Sequence, residues 1–94
     1  MMIKVKIKLY ATFRDKYKLK ELEIRFDGTV KNLVKNAGKV LGKKFIDDIY
    51  NTIGEKFRDD RIVTINGRNV KDIKRDIVLK DGDEIAIFPP IAGG

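Results

Sequence analysis

Residues 3–9 read Ile-Lys-Val-Lys-Ile-Lys-Leu, and no other stretch restricts the fold so tightly. In an extended chain this alternation puts Ile3, Val5, Ile7 and Leu9 on one side and Lys4, Lys6 and Lys8 on the other. A helix would scatter both sets around its circumference. The segment is therefore a strand with one dry face, and that face needs an apolar layer to cover it. Leu22, Ile24 and Phe26 repeat the pattern against Glu21, Glu23 and Arg25. The two runs predict a hairpin, with the polar residues 11–20 as an extended loop.

The covering layer comes next in the chain. Asp27-Gly28 stops the second strand, and Thr29 is a helix N-cap residue. Val30, Leu33, Val34, Ala37, Val40 and Leu41 follow at helical spacing, with Lys31, Lys35 and Lys39 outside and Gly42 as the C-terminal cap. A second helix is expected to carry Ile46, Ile49, Tyr50, Ile53 and Phe57 on one face. Its first turn would hold Asp47 and Asp48, where the helix dipole favours carboxylates. Residues 61–65 read as a strand, Asn66-Gly67 as a hairpin turn and Asp81-Gly82-Asp83 as another turn. Residues 85–88 form a short apolar strand, and Pro89-Pro90 ends it because proline has no amide hydrogen for a ladder. A hairpin, a crossover helix and a final strand imply an α+β fold: one mixed sheet packed on one to two helices, with the last strand parallel beside the first. The 94 residues, without a repeat or linker, suit one domain over residues 1–88 and a C-terminal tail over residues 89–94.

What is missing narrows the function. The chain has no cysteine, histidine or serine. Disulfides, thiolate metal sites, the commonest general base and any Ser/His/Asp arrangement are thereby excluded. The domain is expected not to be an enzyme in its own right. No apolar run approaches the roughly 18 residues of a membrane span. The alternating N-terminus does not read as a signal peptide, so a cytoplasmic location is expected. Fifteen lysines, thirteen isoleucines and no cysteine resemble a thermophile's composition. The formal charge of +7 raises nucleic-acid binding, with Lys4, Lys6 and Lys8 as a stripe and Lys16, Lys18 and Lys20 nearby. Charge alone argues for solubility rather than function, and the second strand's glutamates can lie beside the stripe. Asp81 and Asp83 lack an evident third ligand and read as turn residues, so no metal site is expected.

Strand parity singles out two aromatics. If Leu9 and Ile87 face the core, Tyr10 and Phe88 face outward. In a parallel pair they meet at one end of the sheet, where the tail leaves. An exposed aromatic pair there is a candidate partner-binding spot. The tail runs Pro89-Pro90-Ile91-Ala92-Gly93-Gly94. Two prolines stiffen its root, and Ile91 and Ala92 are small apolar residues that a groove can read. A carboxylate must be activated before it reacts, commonly by adenylation in a site that excludes water. A chain end entering such a site must be thin and conformationally free, which glycine provides.

Residues 79–94, with Asp-Gly-Asp-Glu, an apolar strand and Phe-Pro-Pro-x-x-Gly-Gly, resemble the ubiquitin-like β-grasp sulfur carriers. That family includes the molybdopterin synthase small subunit, the thiamine-pathway carrier and the archaeal ubiquitin-like modifiers. The molybdopterin branch is matched most closely, and residues 3–14, with Tyr10-Ala11, match its first strand and loop. Residues 43–60 are longer than in the compact members. The resemblance implies that an activating enzyme of the ubiquitin type uses ATP to adenylate the C-terminal carboxylate of Gly94. A sulfur donor would convert it to a thiocarboxylate, and the large subunit of the synthase would receive the tail. Gly93, Ala92, Ile91, Pro90 and Pro89 would thread, Phe88 and Tyr10 would dock partners, and the chain itself would bind no cofactor. The nearest alternative is a protein modifier joined to target lysines through Gly94; transfer to the thiamine thiazole and a basic nucleic-acid-binding domain follow.

Overall fold

A computed structural model describes residues 2–73 and 76–89. The expectations for Pro90, Ile91, Ala92, Gly93 and Gly94 fall outside the described residues. The elements are β1 (Ile3–Leu9), α1 (Thr12–Tyr17), β2 (Glu21–Phe26), α2 (Val30–Leu41), α3 (Lys43–Ile49), β3 (Tyr50–Asn51), β4 (Lys56–Phe57), β5 (Ile62–Ile65), β6 (Arg68–Asn69) and β7 (Glu84–Phe88). Five strands form one mixed sheet in the order β2-β1-β7-β5-β6, and β3 and β4 form a separate two-stranded hairpin. The apolar final strand lies at the centre, parallel to β1 and antiparallel to β5.

The alternation of β1 is realised as the sequence requires. Val5, Ile7 and Leu9 are buried, and they meet Ile24, Phe26, Ile85, Ile87 and Val63 in one core beneath α2 and α3. Burying a side chain of this size contributes about 1.5–3 kcal/mol, so this layer dominates the fold's stability. Thr29 caps α2 by accepting the N–H of Asn32 at 3.4 Å. Leu33, Val34 and Ala37 face the core. Gly38 is where the two helices approach: a Cβ there would meet Ile46 at 2.6 Å, inside van der Waals contact. The Asn66-Gly67 turn closes the β5–β6 hairpin with both residues at positive φ, 51° and 86°. At the Asp81-Gly82-Asp83 turn, the Asp81 carboxylate accepts the Lys4 N–H at 2.8 Å and Asp83 accepts the Lys80 N–H at 2.8 Å.

Four expectations are corrected. Residues 11–20 contain a helical turn and a half, α1, because Phe13 and Tyr17 stand four apart and Phe13 reaches the core. Val40 is 61% exposed rather than part of the apolar face of α2. The second helix ends at Ile49, and the chain turns into the β3–β4 hairpin. There the Asn51 side-chain oxygen accepts the N–H groups of Ile53 and Gly54, each at 3.0 Å, and this local bond outcompetes helix continuation. Ile53 is consequently 97% exposed, and Phe45, at 0%, fills the core position instead. Finally, α3 starts at Lys43, so Asp47 and Asp48 are not in its first turn. Asp48 faces α1, accepting from Lys16 Nζ at 2.6 Å and from the Tyr17 hydroxyl.

Candidate functional site

The site is the end of the sheet where β7 finishes. Leu9 pairs with Ile87 across the parallel ladder, and both side chains are buried. The next residue of each strand must point the other way. Tyr10 and Phe88 therefore lie together on the outer face, both half-buried. Their rings stack with centroids 4.6 Å apart and planes 12° from parallel. Such pairs contribute about 0.5–1.5 kcal/mol beyond area burial.

The backbone holds Tyr10 from both sides. Its N–H donates to the Ile87 carbonyl at 3.2 Å, and its carbonyl accepts the Phe13 N–H at 3.2 Å as α1 begins. Ala11 makes the corner between them at φ 53° and ψ −129°, a positive-φ conformation outside the regions alanine ordinarily occupies. β5 closes the other flank. Ile62 pairs with Phe88 and shares its face, half-buried. Beside it, the Arg61 guanidinium sits 5.8 Å from the Phe13 ring and 3.1 Å from Asp60, while its Nε is buried without a hydrogen-bond partner. Ile62 and Arg61 were not singled out by sequence reasoning. The alternation around buried Val63 marks Ile62 as outward-facing, but only the β5–β7 pairing brings it to Phe88. Further down the same face, Lys8 Nζ meets Glu84 at 3.1 Å. The hydrogen bond and charge of Glu84 raise the Lys8 pKa above the ordinary lysine value.

Pro89 is half-buried at the root of the tail. The chain thus leaves the central strand beside an aromatic platform made by two neighbouring strands. This surface offers a flat apolar contact beside the end of the central strand. A cavity of about 420 Å³ lies elsewhere, lined by Val30, Tyr50, Phe57, Val70 and Ile77 among others, and it includes neither Tyr10 nor Phe88. Among the described residues no group of three His, Cys, Asp or Glu is placed to hold a metal. Among the described residues no helix is long and apolar enough to cross a membrane.

The sheet order, with the central parallel β1–β7 pair and a crossover helix, is that of the ubiquitin-like β-grasp fold. A sequence model of the ThiS family matches residues 7–94, and the chain belongs to that family. It is 44% identical over 52 residues to the molybdopterin synthase sulfur carrier subunit of Aedes aegypti, a match covering 49% of this chain and 53% of that protein. The match therefore spans about half the length of that relative. Two solution structures resemble it over nearly the whole chain. The Haloferax volcanii HVO 2177 protein aligns with a TM-score of 0.78 at 27% identity, over 99% of this chain and 88% of the other. The small archaeal modifier protein 1 of Methanosarcina acetivorans aligns with a TM-score of 0.76 at 25% identity, over 100% and 99%.

Proposed function

We propose that this chain is a cytoplasmic sulfur carrier that supplies sulfur for molybdopterin synthesis as the non-catalytic small subunit of the synthase. The observation that carries the reading is the placement of the tail's root. The central strand ends in Phe88-Pro89 beside the stacked Tyr10, and the sequence then runs to Gly93-Gly94. Membership of the ThiS family and the name of the Aedes aegypti relative supply the chemical class.

In this reading the Gly94 carboxylate attacks the α-phosphorus of ATP in a ubiquitin-activating-type adenylyltransferase, releasing pyrophosphate. The acyl adenylate is then an electrophile, and a donor delivering sulfur at the sulfide level displaces AMP to leave a thiocarboxylate. Gly93 and Gly94 let the chain end enter a closed site, since neither has a Cβ to clash with its walls. Phe88 and Tyr10 dock the activating enzyme and, in turn, the large subunit of the synthase. Sulfur is carried on the terminal carboxyl, which suits a chain with no cysteine.

A second reading rests on the likeness to the small archaeal modifier protein 1. There the same activated Gly94 acylates a lysine of another protein. Both readings share the adenylate and divide afterwards. Intact mass spectrometry of untagged protein from its own cells separates them. Replacement of one oxygen by sulfur, located on Gly94 by fragmentation and distinguished from methionine oxidation, is the expected result. Gly-Gly remnants from this tail on other proteins' lysines would move the assignment to a modifier. An unaltered terminus under active growth would overturn both.

A further inference from the structure

The open face of the sheet does not carry the chain's excess positive charge. Lys4 lies 4.0 Å from Glu23, Lys6 3.9 Å from Glu21 and Lys8 3.1 Å from Glu84. The stripe that suggested phosphate binding is matched residue for residue by carboxylates. The helical layer on the other side of the sheet is different. Residues 28–46 contain five lysines and no aspartate or glutamate. Lys31 meets Glu55 of the β3–β4 hairpin at 3.6 Å. Lys35, Lys39, Lys43 and Lys44 are exposed and make no ion pair among the described residues. Asp47, four residues beyond Lys43, is exposed and pairs with neither Lys43 nor Lys44.

Lys31, Lys35 and Lys39 recur every four residues along α2, an axial rise of about 6 Å per step. Lys43 and Lys44 follow at the first two positions of α3, just past Gly42. Tyr17 meets Phe45 edge-on at 5.3 Å, so their chain neighbours Lys18 and Lys44 lie at the same end of the molecule. Lysine is a flexible point charge without the planar fork that reads a base or a carboxylate. The two asparagines of α2 are occupied: Asn32 donates to Asp27 at 2.7 Å and Asn36 to the Arg25 carbonyl at 3.3 Å.

We propose that the α2–α3 lysine face binds the phosphate backbone of duplex nucleic acid without reading its sequence. A duplex is favoured over a single strand because the outward positions of α2 and the start of α3 carry no aromatic ring. Single-strand binding draws much of its affinity from base–aromatic stacking, whereas a duplex presents dense phosphate charge and stacked bases. An acidic protein partner is disfavoured for a related reason. The patch lacks the aromatic and arginine anchors of protein interfaces and holds only Val40 as an apolar contact. The surface lies on the opposite side of the sheet from Tyr10 and Phe88, so it is open whether or not the tail is engaged.

The test is fluorescence anisotropy with a labelled duplex DNA of about 20 base pairs, titrated between about 50 and 200 mM salt. Four unpaired lysines contribute about −3.6 to the slope of log K against log salt, or about 150-fold weaker binding over that range. Lys35→Gln, Lys39→Gln, Lys43→Gln and Lys44→Gln combined is expected to reduce the slope by that amount. Glutamine keeps helix propensity close to lysine's, and a thermal melt verifies folding. Lys4→Gln, Lys6→Gln, Lys8→Gln and Arg25→Gln combined removes the same charge from the sheet face and is expected to leave the slope unchanged. Equal loss in both variants would reduce the effect to net charge and overturn the proposal. So would the absence of duplex binding by the parent protein at the low-salt end.

Discussion

Replacing Phe88 by alanine separates a docking residue from a core residue, because the structure sets different magnitudes for the two roles. Phe88 is half-buried, and its main aromatic partner is Tyr10 at 4.6 Å, outside the core. The loss on truncation is then the stacking contribution, about 0.5–1.5 kcal/mol, plus that of part of one ring's area. For a domain of this size, about 1 kcal/mol lowers Tm by roughly 4–8 °C. A fully buried phenylalanine would instead cost about 3–5 kcal/mol. If the ring is the anchor of a partner interface, its removal costs at least about 2 kcal/mol of binding, or roughly 30-fold in Kd. The assay pairs a thermal melt with calorimetric titration against the activating enzyme. The expected result is a Tm loss under about 20 °C, from stacking and partial ring burial together, with the large Kd change. A Tm loss beyond about 20 °C with Kd unchanged would refute the reasoning and make Phe88 a core residue.

Deleting Gly94 is expected to leave the melting curve unchanged and abolish adenylate formation, measured by pyrophosphate exchange; an adenylate formed by the truncated chain would contradict the tail assignment. Residues appended after Gly94 should have the same effect for as long as they remain uncleaved. Phe45→Ala should cost about 3–5 kcal/mol by denaturant melt, while Ile53→Ser should stay within about 0.5 kcal/mol; the reverse order would restore a continuous second helix. Burial works against ionisation of Asp48, but the bonds from Lys16 and Tyr17 outweigh it and hold its pKa below the ordinary aspartate value. Its stabilising effect is therefore present above the unfolded value, about 3.9, and is lost as pH falls through the folded one. Asp48→Asn should flatten that part of the acid limb in pH-dependent melts, and an unaltered limb would show that the bonds do not form in solution.

Period-two patterning was legible because strands β1, β2 and β7 each carry one dry face, and a one-residue slip would expose the whole set. The same parity puts Tyr10 and Phe88 on the outer face, since each directly follows a core residue, Leu9 or Ile87. Thr29, Asn66-Gly67 and Asp81-Gly82-Asp83 were legible for a different reason: their backbone preferences are local. Residues 50–57 were misread as a continuation of the second helix because an apolar residue every three or four positions suits a helix, and nothing in the spacing reveals that the Asn51 side chain will take the Ile53 and Gly54 amides. The choice of Phe45 over Ile53 for the core follows from that turn.

The chain's order of residues by itself determined the two faces of the sheet, the helix that covers one of them and the glycine end that follows β7, all consequences of periodicity and local chemistry. Tertiary structure decided which of the lysines are neutralised. Lys4, Lys6 and Lys8 and the lysines of α2 look alike along the chain, but β-pairing sets glutamates beside the first group and no carboxylate lies within the segment that carries the second. Coulomb attraction acts through space over a few ångströms, so its sum over a surface depends on which strands and helices become neighbours.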